Sequence, residues 1–339
     1  MHIPPIKGAG MRELTLKQID VFSTKPFCGN PALVCSDAGG LSVEEMKRIA
    51  AEMNILESTF VTPPESIDSE YRVRFFTPSE EYDFSGHAMI ATCFCLVEDG
   101  LVSLVDGVTR VSIETNAGVM PVDFHFEAGE DLYRRSDPDS VPMSSHGTSG
   151  VLRRIMINRT ISEFESVDAS PAEIASILGI TEHDILRTGL PPEIVFNGVR
   201  QLIVPVDGAS QVQGMSPDLI KLRLLNQRLG VKTTDVFSLD TLHEGCACYS
   251  RHFSPAMGMW EDLGSGAGAS SIAAYMLRHG VASARAMVME QGPEDDKLSR
   301  VHIDVREGEA GGIDVKVGGL AVTSMTRQAA LDAETVTVT

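Results

Sequence analysis

Two stretches of this chain are apolar almost all the way round a helix. Residues 88–97 read Ala-Met-Ile-Ala-Thr-Cys-Phe-Cys-Leu-Val, and Ile272 to Leu277 has the same character. A helix with no polar face must be covered on every side. Each stretch therefore predicts a central helix wrapped by other elements. Alternating apolar and polar positions in Thr109 to Glu114 and Val301 to Val305, with the glycine-bounded Gly312 to Val317, predict strands that do the wrapping. Serine-led starts mark two outer helices: Ser42-Val43-Glu44-Glu45 is a capping box, and Ser216-Pro217-Asp218 places a proline at the first helical position. β-Rich stretches follow both, at Ser58 to Val61 and Thr234 to Phe237.

These elements recur in order. Arg74-Phe75-Phe76-Thr77-Pro78 returns as Arg251-His252-Phe253-Ser254-Pro255, and Ser85-Gly86 returns 180 residues later as Ser265-Gly266. Phe27-Cys28-Gly29, ahead of an apolar strand, is echoed by Phe196-Asn197-Gly198. A long-period repeat fixes architecture before any single element does. The expected fold is α+β, with two similar domains, each a curled, barrel-like β-sheet around a central helix. The first half is expected over 12–128 and the second over 151–326. Between them, 129–150 is rich in Asp, Ser, Pro and Gly and reads as a linker or surface loop, and 327–339 reads as a poorly anchored tail.

Composition narrows the function more than the fold. Over 339 residues, 28 Lys and Arg stand against 47 Asp and Glu, a net charge of −19. Such a surface repels phosphate backbones and anionic lipid, so neither nucleic acid nor a membrane is expected as partner. The amino-terminal Met1-His2-Ile3-Pro4-Pro5 has neither the basic start nor the apolar run of a signal peptide, and no apolar run is long enough to span a bilayer. A cytoplasmic protein is expected. The six cysteines, at 28, 35, 93, 95, 246 and 248, are too scattered for a disulfide framework and are read as reduced. Cys93 and Cys95 diverge by about 200° on a helix, and Cys246 and Cys248 have no His or acid at metal spacing, so no metal is expected. Glycine-rich 264–268 lacks the Lys-Ser/Thr of a nucleotide loop, and no cofactor is expected.

The candidate chemistry gathers at the starts of the two buried helices. Each is marked by a serine and a glycine, Ser85-Gly86 and Ser265-Gly266, and only its amino end can face the other half. If those ends meet across a cleft, their free amides and positive dipole ends suit a carboxylate. Alternatively the serines are simple N-caps and the glycines serve packing. Three ionisable residues lie close by in sequence. His87 sits just inside the first helix, Asp262 just before the second, and Glu57 between an outer helix and its strand, in a stretch otherwise uncharged after Glu52. A carboxylate at the edge of an apolar strand is poised for proton transfer, although an acid at a helix end is also an ordinary solvated residue. The second half has Val231-Lys232-Thr233 at that place, so the acid is not duplicated.

Gln18-Ile19-Asp20-Val21-Phe22, Cys28-Gly29-Asn30-Pro31-Ala32, Glu57-Ser58-Thr59-Phe60, Arg74-x-Phe76-Thr77-Pro78 and Phe84-Ser85-Gly86-His87-Ala88 together resemble the phenazine-biosynthesis PhzF-like family. Arg251-x-Phe253-Ser254-Pro255, Gly258-Met259-Trp260-Glu261-Asp262 and Gln291-Gly292 continue the resemblance, which spans about residues 14–325. It implies the diaminopimelate-epimerase-like fold, with a cofactor-free active site between two similar halves, in a protein that is often a homodimer. It also implies a cofactor-independent isomerase acting on a small carboxylate-bearing metabolite. In the family's namesake, which moves a hydrogen within a dihydro-hydroxyanthranilate, the residue matching Glu57 shuttles the proton and those matching His87 and Asp262 bind or polarise the substrate. Gly86, Ser265 and Gly266 complete the expected binding set.

The match breaks at one place. Where the family pattern commonly reads Glu-Asp-Pro-Ala-Thr-Gly-Ser-Ala, this chain has Glu261-Asp262-Leu263-Gly264-Ser265-Gly266-Ala267-Gly268. The family serine that can contact substrate is Ala267 here, and the proline is Leu263. With the acid and the histidine intact, catalysis on a different substrate is the preferred reading. A cyclisation or elimination begun by the same proton abstraction, or a small-molecule-binding protein without catalysis, are the alternatives. A two-cysteine racemase is not expected, because Ser85 and Gly264-Ser265 stand where that chemistry places its thiols.

Overall fold

In the strand Asn30–Cys35, alternate side chains go to two different cores: Ala32 and Val34 face an inner one, Leu33 and Cys35 an outer one. The same sorting separates Val61 from Phe60 and Phe75 from Phe76. It gives the first half its layers: a central helix, a sheet curled around it and a helix outside. The computed structural model describes residues 12–133, 139–145, 147–282, 285–293, 297–308 and 311–331. No helix among them is long and apolar enough to cross a membrane.

In chain order the first half comprises β1 (Arg12–Val21), β2 (Asn30–Cys35), α1 (Val43–Met53), β3 (Ser58–Thr62), β4 (Tyr71–Phe76), β5 (Glu81–Tyr82), the central α2 (Gly86–Glu98), β6 (Gly107–Thr115), β7 (Gly118–Ala128), α3 (Glu130–Tyr133), β8 (Val141–Ser145) and β9 (Thr148–Ile161). Its ladders run β1–β2–β3–β4–β6–β7–β9, with β2–β3 and β4–β6 parallel. The capping box of α1 is present: Ser42 accepts the Glu45 amide, and the Glu45 side chain accepts the Ser42 amide. Every residue of α2 from His87 to Val97 is buried.

The second half repeats the scheme with more helix outside. It comprises β10 (Glu163–Ser166), α4 (Pro171–Leu178), α5 (Glu182–Leu186), β11 (Glu193–Phe196), β12 (Arg200–Pro205), α6 (Ala209–Gly214), α7 (Leu219–Leu229), β13 (Thr233–Ser238), β14 (Cys248–Ser254), β15 (Met259–Asp262), the central α8 (Gly266–Arg278), β16 (Ala286–Gln291), β17 (Ser299–Glu307), β18 (Ile313–Gly319) and β19 (Ala321–Leu331). Its ladders run β10–β11–β12–β13–β14–β16–β17–β18. Two pairings join the halves. β9 lies antiparallel to β18, and β19 returns to β1 along its whole length, with Arg12 opposite Leu331. All six cysteines are free thiols.

Three expectations are corrected. Asp218, not Ser216, caps α7, accepting the Lys221 amide at 3.1 Å, and Pro217 lies ahead of the helix. The apolar face that packs inward begins with Leu219 and Leu222, so the cap falls directly before it. Residues 129–150 are not a linker: α3, β8 and the start of β9 occupy most of them, with β8 and β9 forming a hairpin. Residues 134–138 and 146 lie outside the described residues. The supposed tail is a strand as far as Leu331, since 327–331 pair with β1; residues 332–339 lie outside the described residues. β19 covers the edge of β1 with its backbone while most of its side chains stay half-buried or exposed, so hydropathy does not reveal it.

Candidate active site

Ile157 on β9 and Val317 on β18 are direct partners, and direct partners project their side chains from the same face. A methyl group added to Gly86 would meet Ile157 Cδ1 at 3.5 Å, and one added to Gly266 would meet Val317 Cγ2 at 3.5 Å. The starts of α2 and α8 therefore stand over one face of the shared ladder. Ser85 and Ser265 cap them, accepting the amides of Ala88 at 3.4 Å and Gly268 at 3.1 Å.

The first wall carries the acid. Glu57 precedes β3, whose pairing with β2 and β4 sets it beside the start of α2. Its Oε2 accepts the Ser85 hydroxyl and lies 3.3 Å from His87 Nδ1. His87 is buried, and its Nε2 has no hydrogen-bond partner among the described residues. The buried hydroxyl of Tyr82 is in the same position, near Glu57 and Ser85 without a properly formed bond to either. Burial, and then the Glu57 carboxylate, push the Tyr82 phenol well above its ordinary 10, so it stays a hydrogen-bond donor. Buried polar atoms are normally paired, and exceptions mark places where something else binds.

The second wall is a network around Asp262. Asn30, from the first half, donates its Nδ2 to Asp262 Oδ1 at 2.6 Å and to the Gly264 carbonyl at 2.8 Å. Gln291 accepts the Ser265 amide at 3.0 Å and donates to the Asp262 carbonyl at 3.2 Å. Phe22 packs beneath, in the left-handed region at φ 65. A Cβ on Gly264 would lie 2.8 Å from Phe22 Cδ2 and would overlap Ser299 Oγ, so an alanine there would require those side chains to shift. One cation stands near the first helix start: Arg159, two residues from Ile157 on β9, has its guanidinium carbon 4.3 Å from the centre of the Phe84 ring. No carboxylate among the described residues pairs with it.

Glu57, His87 and Gly86 thus share one wall, and Asp262, Ser265 and Gly266 the other. Sequence reasoning assigns no role to Tyr82, Asn30 or Gln291. The 180-residue offset, which carries Ser85 to Ser265, also carries Tyr82 to Asp262. A separate cavity of about 510 Å³ touches Phe22, Cys28, His243, Glu290 and Arg300 and none of the six predicted residues.

The fold is shared with a PhzF-family protein and with a hydroxyproline epimerase. The hydroxyproline epimerase of Agrobacterium vitis superposes with a TM-score of 0.58 at 15% identity, over 95% of this chain and 93% of that one. The PhzF-family phenazine biosynthesis protein of Bacillus anthracis gives 0.77 at 27% identity, over 94% and 99%. The PhzC-PhzF family model, described as phenazine biosynthesis-like protein, matches residues 19–327, and the chain belongs to this family. Several of its relatives carry the name isomerase. It is 29% identical over 318 residues to an uncharacterized isomerase of Bacillus subtilis, covering 94% of this chain and 99% of that protein. It is also 29% identical over 285 residues to the trans-2,3-dihydro-3-hydroxyanthranilate isomerase of Pseudomonas aeruginosa, covering 84% and 87%.

Proposed function

We propose that this protein is a cofactor-independent isomerase that moves a proton within a small carboxylate-bearing metabolite, with Glu57 as its acid/base. The observation that carries the reading is the setting of Glu57: one carboxylate, hydrogen-bonded by Ser85, flanked by the unpaired His87 Nε2 and Tyr82 hydroxyl. The matching place in the second half holds Thr233, so a single group takes and returns the proton on one face of the substrate.

Glu57 as carboxylate removes a proton from a substrate carbon. The electron pair left behind delocalises toward the substrate carboxylate, which the amide ends of α2 and α8 hold, with the unpaired Arg159 nearby. His87 and Tyr82 supply hydrogen bonds to the substrate's other polar atoms. Glu57, now protonated, delivers the proton to a second carbon and ends as the carboxylate it began. The isomerase relatives support this class of reaction, and Leu263 and Ala267 argue for a substrate other than the namesake's.

The test is incubation in deuterated water with trans-2,3-dihydro-3-hydroxyanthranilate and, separately, with a metabolite extract, read by mass spectrometry. One compound should gain carbon-bound deuterium with the native protein and not with Glu57→Gln. Ligand binding with no label in any compound would favour a binding protein instead.

A further inference from the structure

Strand register places a second row of side chains where the first half has its own. Thr59, Phe75 and Tyr82 are direct partners across β3, β4 and β5. Asp235, His252 and Asp262 are direct partners across β13, β14 and β15. Both rows point inward, since Val61 and Phe237, each two residues further along its strand, belong to the inner core. The second half thus carries a charged trio where the first carries a neutral one. His252 Nδ1 lies 2.7 Å from Asp235 Oδ1, and both side chains are buried. The helix makes room for this pair. At the position 180 residues after Ala88 stands Gly268, where a Cβ would overlap Asp235 Oδ1 and lie 2.8 Å from His252 Nδ1.

Asp262 poses an electrostatic problem that its counterpart Tyr82 does not. It is a buried acid beside a helix start read above as a carboxylate-binding end, where like charges repel. His252 is its direct cross-strand neighbour, and the Cβ atoms of such pairs stand about 4.5–5.5 Å apart. Burial works against a proton on His252, but the Asp235 carboxylate, joined by Asp262 and Glu261 on β15, outweighs it and holds the imidazole above its ordinary 6.5. The first turn of α8 adds no acidic side chain.

We propose that His252 is a positioning residue for a carboxylate ligand: seated by Asp235 in the space that Gly268 leaves open, its imidazolium offsets Asp262 at the start of α8. The inference rests on reading this cleft as a carboxylate site, and not on proton transfer by Glu57.

The test needs no turnover. 3-Hydroxyanthranilate serves as the carboxylate probe, bound to the full chain between pH 6 and 9 by calorimetry, while nitrogen NMR follows the His252 ring. The native protein should bind the probe at pH 6 and lose about tenfold in affinity as His252 loses its proton, the two curves sharing a midpoint. Asp235→Thr with His252→Phe and Gly268→Ala rebuilds the packing of Thr59, Phe75 and Ala88; it should bind about tenfold more weakly at pH 6 and show no slope. His252→Gln gives the same comparison if the triple variant does not fold. A native affinity that stays constant while the His252 ring titrates, a slope that survives in His252→Gln, or no binding at pH 6 would overturn the proposal. The binding test uses no Glu57 variant and no turnover, so a failure of deuterium labelling bears on the isomerase reading alone.

Discussion

The Ser85 hydroxyl donates to the Glu57 carboxylate while its oxygen caps α2. One serine therefore orients the proposed acid/base and closes the helix whose start lies at the proposed substrate site. Ser85→Ala should lower stability by about 1 kcal/mol through the lost cap, read as a lower urea midpoint, and should lower kcat as the carboxylate loses its partner. Glu57→Gln isolates the chemistry, because it keeps the shape and removes the titratable oxygen. Turnover should fall by at least about a hundredfold with the unfolding midpoint nearly unchanged. Near-normal turnover in this variant would remove the proton shuttle.

Asn30, from the first half, holds Asp262. In Asn30→Ala the carboxylate stays buried with, among the described residues, only the Gly264 amide, at 3.4 Å, still directed at it. Losing a donor to a charged buried acceptor costs about 1.5–3 kcal/mol, which urea unfolding should show. A loss below about 0.5 kcal/mol would mean that the amide is not the main partner of that charge.

How far these residues are legible in the sequence depends on what each one rests on. Glu57, His87, Asp262 and the two Ser-Gly pairs sit at element ends, where capping chemistry and the repeat both leave a mark. Tyr82 is harder to read, because β5 is two residues long and has no alternation to recognise. Asn30 meets Asp262 across 232 residues of chain, through strand register that no local pattern encodes. The Asp235–His252 pair is hidden in the same way, by two strands that otherwise read as ordinary core. The central helices are visible because they are apolar all round, whereas β19 is invisible because its backbone, not its side chains, does the covering.

Stability at low pH should depend on Asp123. It accepts Arg110 Nε at 2.6 Å and Lys316 Nζ at 2.6 Å, the latter from β18. Burial alone would raise its pKa, but the two cations outweigh burial and pull it from 3.8 to about 2. A folded value below the unfolded one means stabilisation that is complete above about pH 4 and lost as pH falls through about 2. The native protein should exceed Asp123→Asn by about 2 kcal/mol near pH 6, and the gap should close between about pH 4 and 2. A gap of constant size would show that Asp123 acts through packing rather than charge.

Ending the chain at Thr326 tests the last strand. It removes the partners of Arg12 to Leu16, and with them Ala329 and Leu331, which pack against the outer core around Leu14 and Leu16. The melting temperature should drop, by roughly 2–4 °C for each kcal/mol lost, and amide protection along β1 should fall. Unchanged protection would restore the reading of this segment as a tail.

The pairing of β1 with β19 also bears on how the protein is made. β1 is the first described strand to leave the ribosome and β19 the last, at opposite ends of some 300 residues. At about 5–20 residues per second, β1 waits roughly 15–60 s for its partner. Until then the nascent first half has an unpaired backbone edge, the kind of edge that recruits strands from other chains.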